Sequence, residues 1–316
     1  MTISFRPAVR EAVGLIIGLA GGTGSGKTFS AMRLASGIAG GKPFAVIDTE
    51  AGRALHYADA FRFDHAELRP PFRPDAYAEA IRAADAAGYP AIVVDSTSHS
   101  WAGEGGILDW QEEELDRMAG TDWKKREACK MAAWIKPKMA GKKMVQQLLQ
   151  VRAHLILCFR AEEKIDIIRE DGKTKIVPKV SRTGLDGWIP VCEKNLPFEL
   201  TASFLLTADA PGIPKPIKLQ EQHKPLFPLD KPITEESGRM IAAWASGGKA
   251  STQAPAPALI TPDQVANIET KCVDAGVKIE DVKEATDVAS LADIPAKKYG
   301  AVLKWIDAQV AERAAA

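Results

Sequence analysis

The sequence predicts an α/β protein in which helices cover a mainly parallel sheet, with a small helical module at the C-terminus. Short apolar segments alternate with helical segments through the first half of the 316-residue chain, as expected for a parallel sheet. A glycine-rich loop joins the first strand to the first helix, as in strand–loop–helix units. A stretch rich in Ala, Pro, Gly and Ser at 246–258 is typical of a flexible linker. We therefore expect a large domain at 1–245 and a small helical module at 259–316.

Four apolar runs are the strand candidates of the first half, at 14–20, 44–48, 91–95 and 154–159. Helical patterns fill the intervals between them: one follows the glycine-rich loop to about residue 38, and others cover 75–87 and 106–150. Parallel strands connected by helices place their carboxyl ends at one edge of the sheet. The residues that end these strands should therefore lie near one another.

The pattern changes after Arg160. Two segments, 164–170 and 173–179, flank Asp171-Gly172, which is a strong two-residue hairpin signal. Two further strands are expected at 198–207 and 213–219, followed by a short helix at about 235–244. In the C-terminal module, Thr261, Pro262 and Gln264 have the types and spacing of a helix N-terminus.

The glycine-rich loop matches the phosphate-binding pattern G-x-x-x-x-G-K-[ST]. Glycines allow a tight turn that brings backbone N–H groups close to phosphate oxygens, and the following helix adds its positive dipole end. Lys27 is suited to the β- and γ-phosphates, which makes it a catalytic candidate, and the Thr28 hydroxyl is suited to Mg²⁺. The expected ligands are ATP and Mg²⁺. The nucleotide-binding candidates are Gly21, Gly22, Thr23, Gly24, Ser25, Gly26, Lys27, Thr28 and Phe29.

Carboxylates end two of the strand candidates. Asp95 ends an apolar strand, where a carboxylate can hold Mg²⁺, and is therefore a metal candidate together with Thr28. Glu50 follows the second strand and is the candidate that orients and deprotonates the attacking water. Asp48 is an alternative base, or a residue that only holds the loop.

These segments carry a resemblance. The loop, Val46-Ile47-Asp48-Thr49-Glu50 and Ile92-Val93-Val94-Asp95-Ser96 together resemble the ATPase core of RecA-type recombinases. The resemblance implies a RecA-like P-loop ATPase domain in which Glu50 is the catalytic glutamate and Asp95 ends the Walker B strand. Within that superfamily, the compact size resembles phage-encoded ATPases of Sak-type recombination systems. The segment from Leu259 onward resembles small helical modules of phage recombination proteins.

That likeness implies ATP hydrolysis, single-stranded DNA binding and a role in phage recombination, most simply strand annealing. Two rival hypotheses are a nucleotide-gated loader for a replication protein and, less favoured, a small-molecule kinase. Where RecA carries a polar sensor, this chain reads Phe159-Arg160-Ala161-Glu162-Glu163. Arg160 is therefore a candidate γ-phosphate sensor or arginine finger, or else an ion-pair partner of Glu162 or Glu163.

A basic region with interleaved tryptophans is the candidate DNA-binding surface. Lys and Arg outnumber Asp and Glu from 121 to 182, and Trp123 and Trp134 lie within the densest part. Basic groups contact phosphates and exposed rings stack on bases, although an amphipathic helix with core tryptophans is the alternative. The candidates are Lys124, Lys125, Arg126, Lys130, Lys136, Lys138, Lys142, Lys143, Lys173, Lys175 and Arg182.

Composition limits the remaining possibilities. Lys and Arg number 41, as do Asp and Glu, so no global field attracts nucleic acid or a membrane. The longest apolar runs are too short to span a bilayer, and the N-terminus lacks a signal-peptide pattern. The four scattered cysteines suggest reduced thiols. We expect a protein of the bacterial host cytoplasm, either a monomer or a homo-oligomer, with a mildly acidic C-terminal module that binds a single-strand-binding or replication protein.

Overall fold

The computed structural model describes residues 14–170, 173–178, 187–247, 259–286, 288 and 290–314. Contacts divide the chain into two compact units, Met1–Ala250 and Ser251–Ala316. Residues 248–258 of the expected linker lie outside the described residues. The first unit contains a mainly parallel sheet with flanking helices, and helices follow in the second unit. The predicted fold class is therefore confirmed.

The sheet of the first unit is built around the strand that precedes the glycine-rich loop. Its strands are β1 (Ile16–Gly21), β2 (Phe44–Asp48), β3 (Phe63–Glu67), β4 (Ala91–Asp95), β5 (His154–Glu163), β8 (Trp188–Pro190), β9 (Ala202–Thr207) and β10 (Ala210–Lys218). The order is β10-β9-β1-β5-β4-β2-β3, with β8 paired to the extension of β5. The pairs from β9 to β3 are parallel, whereas β10 and β8 pair antiparallel with their neighbours.

Helices cover both faces of this sheet. They are α1 (Lys27–Ala39), α2 (Pro74–Ala86), α3 (His99–Ala102), α4 (Ile107–Ala119), α5 (Trp123–Ala133), α6 (Ile135–Leu148), α7 (Leu196–Glu199) and α8 (Glu235–Ala245). Short 3₁₀ turns cover Arg53–Tyr57 and Glu221–Leu226. Successive residues of a strand point to opposite faces, so Ile17 and Leu19 join the core under α1 and α8. Ile16 and Ala20 join the other core, which includes residues of α2 and α6.

The structure completes or corrects three details of the sequence-based prediction. The edge strand β3 was missed because its residues are half-buried or exposed and carry no continuous apolar run. The helical region expected at 106–150 is confirmed and consists of three helices, with breaks at Gly120, whose φ is +54°, and at Trp134. The strand expected at 198–207 begins only at Ala202, because α7 occupies the preceding residues.

Strand β5 lies between β1 and β4. The Asp95 strand is therefore not the immediate neighbour of the strand that leads into the glycine-rich loop. The register pairs Gly21 with Arg160 across β1 and β5, and Asp48 with Asp95 across β2 and β4. Candidate residues from four strands consequently share one edge.

A two-stranded hairpin and the C-terminal unit complete the described structure. Strands β6 (Ile165–Glu170) and β7 (Lys173–Pro178) pair antiparallel, as the Asp171-Gly172 signal predicts, although those two residues lie outside the described part. The second unit contains α9 (Pro262–Ala275), α10 (Ile279–Thr286) and α11 (Tyr299–Ala314). Thr261 and Gln264 form the predicted capping box at the start of α9. None of the described helices has both the length and the apolar character that crossing a membrane requires.

Helices α1 and α8 meet backbone to backbone at two glycines. A Cβ atom on Gly37 would lie 2.0 Å from the carbonyl oxygen of Glu235, and one on Gly238 would lie 2.2 Å from that of Leu34. The Arg33 guanidinium also joins the two helices, through bidentate hydrogen bonds to the Glu235 carboxylate. The packing of α8 on the loop-bearing helix therefore has no room for a methyl group at these positions.

We expect Gly37→Ala to destabilise the first unit, because backbone atoms must move to admit the new methyl group. Overpacking of this kind costs about 1–3 kcal/mol or more. Urea denaturation followed by circular dichroism measures the loss. Gly141→Ala is the matched control in helix α6, because its Cβ would meet only the flexible end of Ile107, at 2.9 Å. Equal midpoints for the two variants would contradict the close-contact explanation.

Candidate nucleotide-binding site

The glycine-rich loop connects β1 directly to α1. Gly24 and Gly26 have φ values of +74° and +80°, a region that favours glycine. Gly26 also serves as the N-cap of α1. The Ser25 hydroxyl donates to the carbonyl of Gly22 at 2.8 Å, and the Ser25 carbonyl accepts from the N–H of Gly212 at 3.0 Å. These bonds fix a tight turn at the N-terminus of a helix, where backbone N–H groups favour anions.

The two functional side chains at the start of α1 point to different partners. The Lys27 ammonium donates to the Gly22 carbonyl at 2.9 Å and therefore folds back over the loop. The Thr28 hydroxyl donates to Oδ2 of Asp95 at 2.5 Å. The structure thus brings together the two metal candidates, although β5 lies between β4, which carries Asp95, and β1, which leads into α1.

A cavity of about 660 Å³ opens over this loop, within the usual range for small-molecule sites. It is lined by the loop itself together with Phe29, Glu50, Arg53, Tyr57, Asp95, Ser96, Arg160, Ala161 and Glu162. The Phe29 ring lies 5.9 Å from that of Tyr57, between centroids. Sequence reasoning missed Arg53 and Tyr57. Their position just after Glu50, at the carboxyl edge of the sheet, was the available signal.

Asp95 is almost fully buried at the end of β4. Burial raises the pKa of its carboxyl group to about 6, although the hydrogen bond from Thr28 lowers it in part. The negative charge of Glu50 adds to the rise. A buried carboxylate at this position is unfavourable without a cation, which is consistent with a metal-binding role.

Glu50 is held by two guanidinium groups. Arg160 donates to Oε1 at 2.7 Å and Arg53 donates to Oε2 at 2.8 Å. Burial alone would raise the pKa of Glu50, but the two arginines outweigh it and hold the pKa below its usual value. The expectation that Arg160 pairs with Glu162 or Glu163 is corrected, since its partner is Glu50. Both oxygens of the candidate base are therefore occupied.

Asp48 holds the turn that carries Glu50. Its Oδ1 accepts from the N–H of Glu50 at 2.6 Å, and its Oδ2 accepts from the N–H of Ala54 at 2.9 Å. His65 lies 3.2 Å from the same Oδ2 atom. With both oxygens bonded to its own loop and to β3, Asp48 fits the structural alternative better than the alternative base.

A buried polar network supports the edge behind Glu50. Oγ1 of Thr49 accepts from the N–H of Ser96 at 2.8 Å and lies 2.8 Å from Nδ1 of His99. The His99 ring stacks on Phe72, with centroids 5.0 Å apart. Burial lowers the pKa of His99, and the charge of Arg160 lowers it further. His99 thus fits a structural role, since it ties α3 to Thr49 at the end of β2.

The structure divides the predicted DNA-binding residues into two groups. Three of them form internal ion pairs: Arg126 with Glu112 and Asp116, Lys130 with Glu127, and Lys136 with Glu114. Helix α4 supplies the carboxylates that pair with Arg126 and Lys136, of which Glu114 is buried, whereas the partner of Lys130 lies on α5. Lys124, Lys125, Lys138, Lys142 and Lys143 are solvent-exposed or half-exposed on α5 and α6.

The remaining predicted contacts lie on or near the hairpin. Lys175 lies on β7, where it faces Ile168 of β6. Lys173 begins β7, and its side chain is outside the described part, as is all of Arg182. The two tryptophans differ, since Trp123 is 72% exposed whereas Trp134 is partly buried and stacks on Trp101. Trp123 therefore fits a stacking role and Trp134 fits the core alternative.

Comparison with known proteins identifies one family. The family model described as AAA domain matches residues 14–188, which is more than half of the chain. The matched range contains the glycine-rich loop, Glu50, Asp95, Arg160 and all of the helices α1 to α6. No curated protein matches the sequence.

Neutralising Asp95 should stabilise the metal-free protein. The pKa of this group is about 6 in the folded state against 3.8 as reference, so its contribution to stability is present at low pH and is lost as pH rises through 6. Asp95→Asn should therefore raise the unfolding free energy at pH 7.5 by roughly 2–3 kcal/mol. Chemical denaturation in magnesium-free buffer measures this gain.

The pH dependence distinguishes this cause from a general effect of substitution. The advantage of Asp95→Asn should shrink below pH 6 and vanish near pH 4, because wild-type Asp95 is then neutral. Asp59→Asn is the control, since Asp59 is exposed in the loop before β3. A stabilisation by Asp95→Asn that is the same at all pH values would contradict the burial argument.

Proposed function

We propose that this chain, which belongs to the AAA domain family, hydrolyses ATP and binds single-stranded DNA in support of phage recombination. The domain is of the P-loop ATPase type. The proposal for the nucleotide site depends above all on one contact, the 2.5 Å hydrogen bond between the Thr28 hydroxyl and the Asp95 carboxylate. It places a hydroxyl and a carboxylate at one point beside an anion-binding loop.

The residues of the cavity suit ATP with Mg²⁺. The loop N–H groups and the Lys27 ammonium are donors for phosphate oxygens, and Thr28 and Asp95 are oxygen ligands of the kind that Mg²⁺ prefers. A bound Mg²⁺ would neutralise part of the negative charge on the phosphate oxygens. Phe29 and Tyr57 offer ring faces on the cavity wall, where a nucleobase can stack.

Glu50 is the proposed base for the attacking water. It lines the cavity at the end of β2, and Asp48 fixes the backbone of its turn. In the structure, Arg53 and Arg160 hold both of its oxygens. Water activation therefore requires that at least one guanidinium leaves the carboxylate, for example when Arg160 turns to the terminal phosphate.

The DNA-binding part of the proposal is supported by topology and charge. Helices α4 to α6 follow β4, and the β6–β7 hairpin follows β5, so both basic elements extend from strands that end at the nucleotide cavity. The resemblance to Sak-type phage ATPases supports strand annealing in the cytoplasm of a bacterial host, with homo-oligomer formation. The C-terminal module is proposed to bind a single-strand-binding or replication protein through a tether.

A second candidate function is a nucleotide-gated loader that hydrolyses ATP slowly. The observation that favours it is the pair of arginines on Glu50. A carboxylate that is held by two guanidinium groups and has a lowered pKa is a weak base. Under this alternative, nucleotide binding rather than turnover would control partner binding.

Lys27→Ala and Glu50→Gln test the two roles separately. Calorimetry should show that Lys27→Ala weakens ATP binding by at least about tenfold, because a charge-assisted phosphate contact is lost. Glu50→Gln should retain ATP binding, while turnover falls by roughly 100-fold or more. Turnover of each variant is measured with and without single-stranded DNA, and DNA binding by gel shift with and without ATP.

Three outcomes would count against parts of this proposal. Normal turnover in Glu50→Gln would exclude Glu50 as the base. If wild-type ATP turnover is the same with and without single-stranded DNA, and the DNA gel shift requires ATP, the loader would be favoured. Failure of pure, folded wild-type protein to bind adenine nucleotide would remove the nucleotide site altogether.

Arg160→Gln should move the acidic limb of the pH profile of kcat/KM, which reports the free enzyme, to higher pH. Arg160 lowers the pKa of Glu50 in the structure, so its removal lets the carboxylate take up a proton at higher pH. Arg239→Gln is the matched control, because Arg239 pairs with Glu236 at the start of α8 instead. A limb that shifts equally in both variants, or in neither, would contradict the assigned pairing.

A further inference from the structure

A groove of about 350 Å³ separates helix α6 from the segment 193–199. Three lysines lie on its walls: Lys138 and Lys142, one helical turn apart on α6, and Lys194 on the opposite segment. Two carboxylates also line it. Glu193 accepts two hydrogen bonds from Asn195, at 2.7 and 3.0 Å, and Glu199 lies at the end of α7.

The lysines of this groove differ from the other basic residues of α5 and α6. Arg126, Lys130 and Lys136 are engaged by carboxylates of α4 and α5. No carboxylate of the described residues forms an ion pair with Lys138, Lys142 or Lys194. All three are exposed, and Lys138 lies 5.0 Å above the Trp134 ring. The groove therefore carries three lysines against two carboxylates, and within the described residues none of these lysines forms an ion pair.

Apolar residues also line the groove, and an exposed aromatic residue is their neighbour in the chain. Gly141 and Leu196 are buried, and Val145 is partly buried between them. Phe198 lies in the chain between the lining residues Leu196 and Glu199, and it is 61% exposed. Lysines together with apolar lining residues and an exposed ring nearby in the chain match the two parts of a nucleotide strand, charged backbone and flat base.

We propose that this groove binds the backbone of single-stranded DNA through Lys138, Lys142 and Lys194, with a base stacked on Phe198. This inference rests on the proposed DNA-binding function and names the surface that carries it. A single strand fits better than a duplex, because a stacking ring needs an unpaired base.

The groove is connected to the nucleotide cavity through the backbone. The N–H of Val191 donates to the carbonyl of Arg160 at 2.8 Å, and Lys194 follows three residues later. The Arg160 side chain contacts Glu50. Single-stranded DNA bound at Lys194 would therefore lie only a short chain segment from Arg160, the residue that holds Glu50.

The test compares two triple variants that remove the same charge. One is Lys138→Gln/Lys142→Gln/Lys194→Gln in the groove, and the other is Arg126→Gln/Lys130→Gln/Lys136→Gln on the ion-paired surface. Fluorescence anisotropy gives the affinity for a labelled mixed-sequence oligonucleotide at several salt concentrations. Circular dichroism and ATP binding verify that each full-length variant is folded.

The groove variant should have a shallower salt dependence than wild type. Three lost phosphate contacts reduce the slope of log affinity against log salt by about 2, given roughly 0.7 per single-strand phosphate. The loss of affinity between about 50 and about 200 mM salt then shrinks by a factor of roughly 20. The ion-paired variant should keep a slope closer to that of wild type. Phe198→Ala should weaken binding roughly fivefold or more with an unchanged slope.

The outcomes separate this inference from the proposed function. Equal slopes and affinities in the two triple variants, with DNA binding intact in wild type, would overturn the groove assignment and would favour an acidic protein partner there. An unchanged affinity in Phe198→Ala would overturn the stacking role. A wild-type protein that does not bind single-stranded DNA at any salt concentration would instead overturn the DNA-binding function itself.

Discussion

The parallel pairing of β1, β5, β4 and β2 is the constraint on which the candidate site depends. Its register sets Gly21 beside Arg160 and Asp48 beside Asp95. Residues that are far apart in sequence therefore reach one edge without any long loop. The first turn of α1 then needs only to place Thr28 against Asp95. A slip of one residue in any of these strands would turn the site residues to the opposite face of the sheet.

The two carboxylates of this edge have opposite environments. Asp95 is buried, no guanidinium of the described residues bonds to it, and its pKa rises. Glu50 is also partly buried, yet Arg53 and Arg160 hold its pKa down. Catalytic sites often contain two acids whose environments move their pKa values in opposite directions. Here the buried carboxyl group of Asp95 suits a metal cation, whereas the protonation of Glu50 depends on its two arginines.

Ion pairing redistributes the apparent charge of the basic region. In sequence, the lysines and arginines of 124–143 form one cluster. In the fold, α4 lies against α5 and α6, and its acidic side chains neutralise part of that cluster. Of the lysines that remain, Lys138 and Lys142 line the groove beside segment 193–199. A count of charges along the chain therefore overestimates the surface that a polyanion can reach, and it misses Lys194 altogether.

The α/β class, four of the parallel strands, the anion-binding loop and the capping box at Thr261 could all be predicted from the sequence, because local periodicity and turn chemistry encode them. It did not determine the insertion of β5 between β1 and β4, the edge strand β3, or the breaks at Gly120 and Trp134. Nor did it predict that Arg160 pairs with Glu50, or that Tyr57 lines the cavity. Those features depend on strand order and on contacts between residues distant in sequence, which only the folded chain brings within reach of one another.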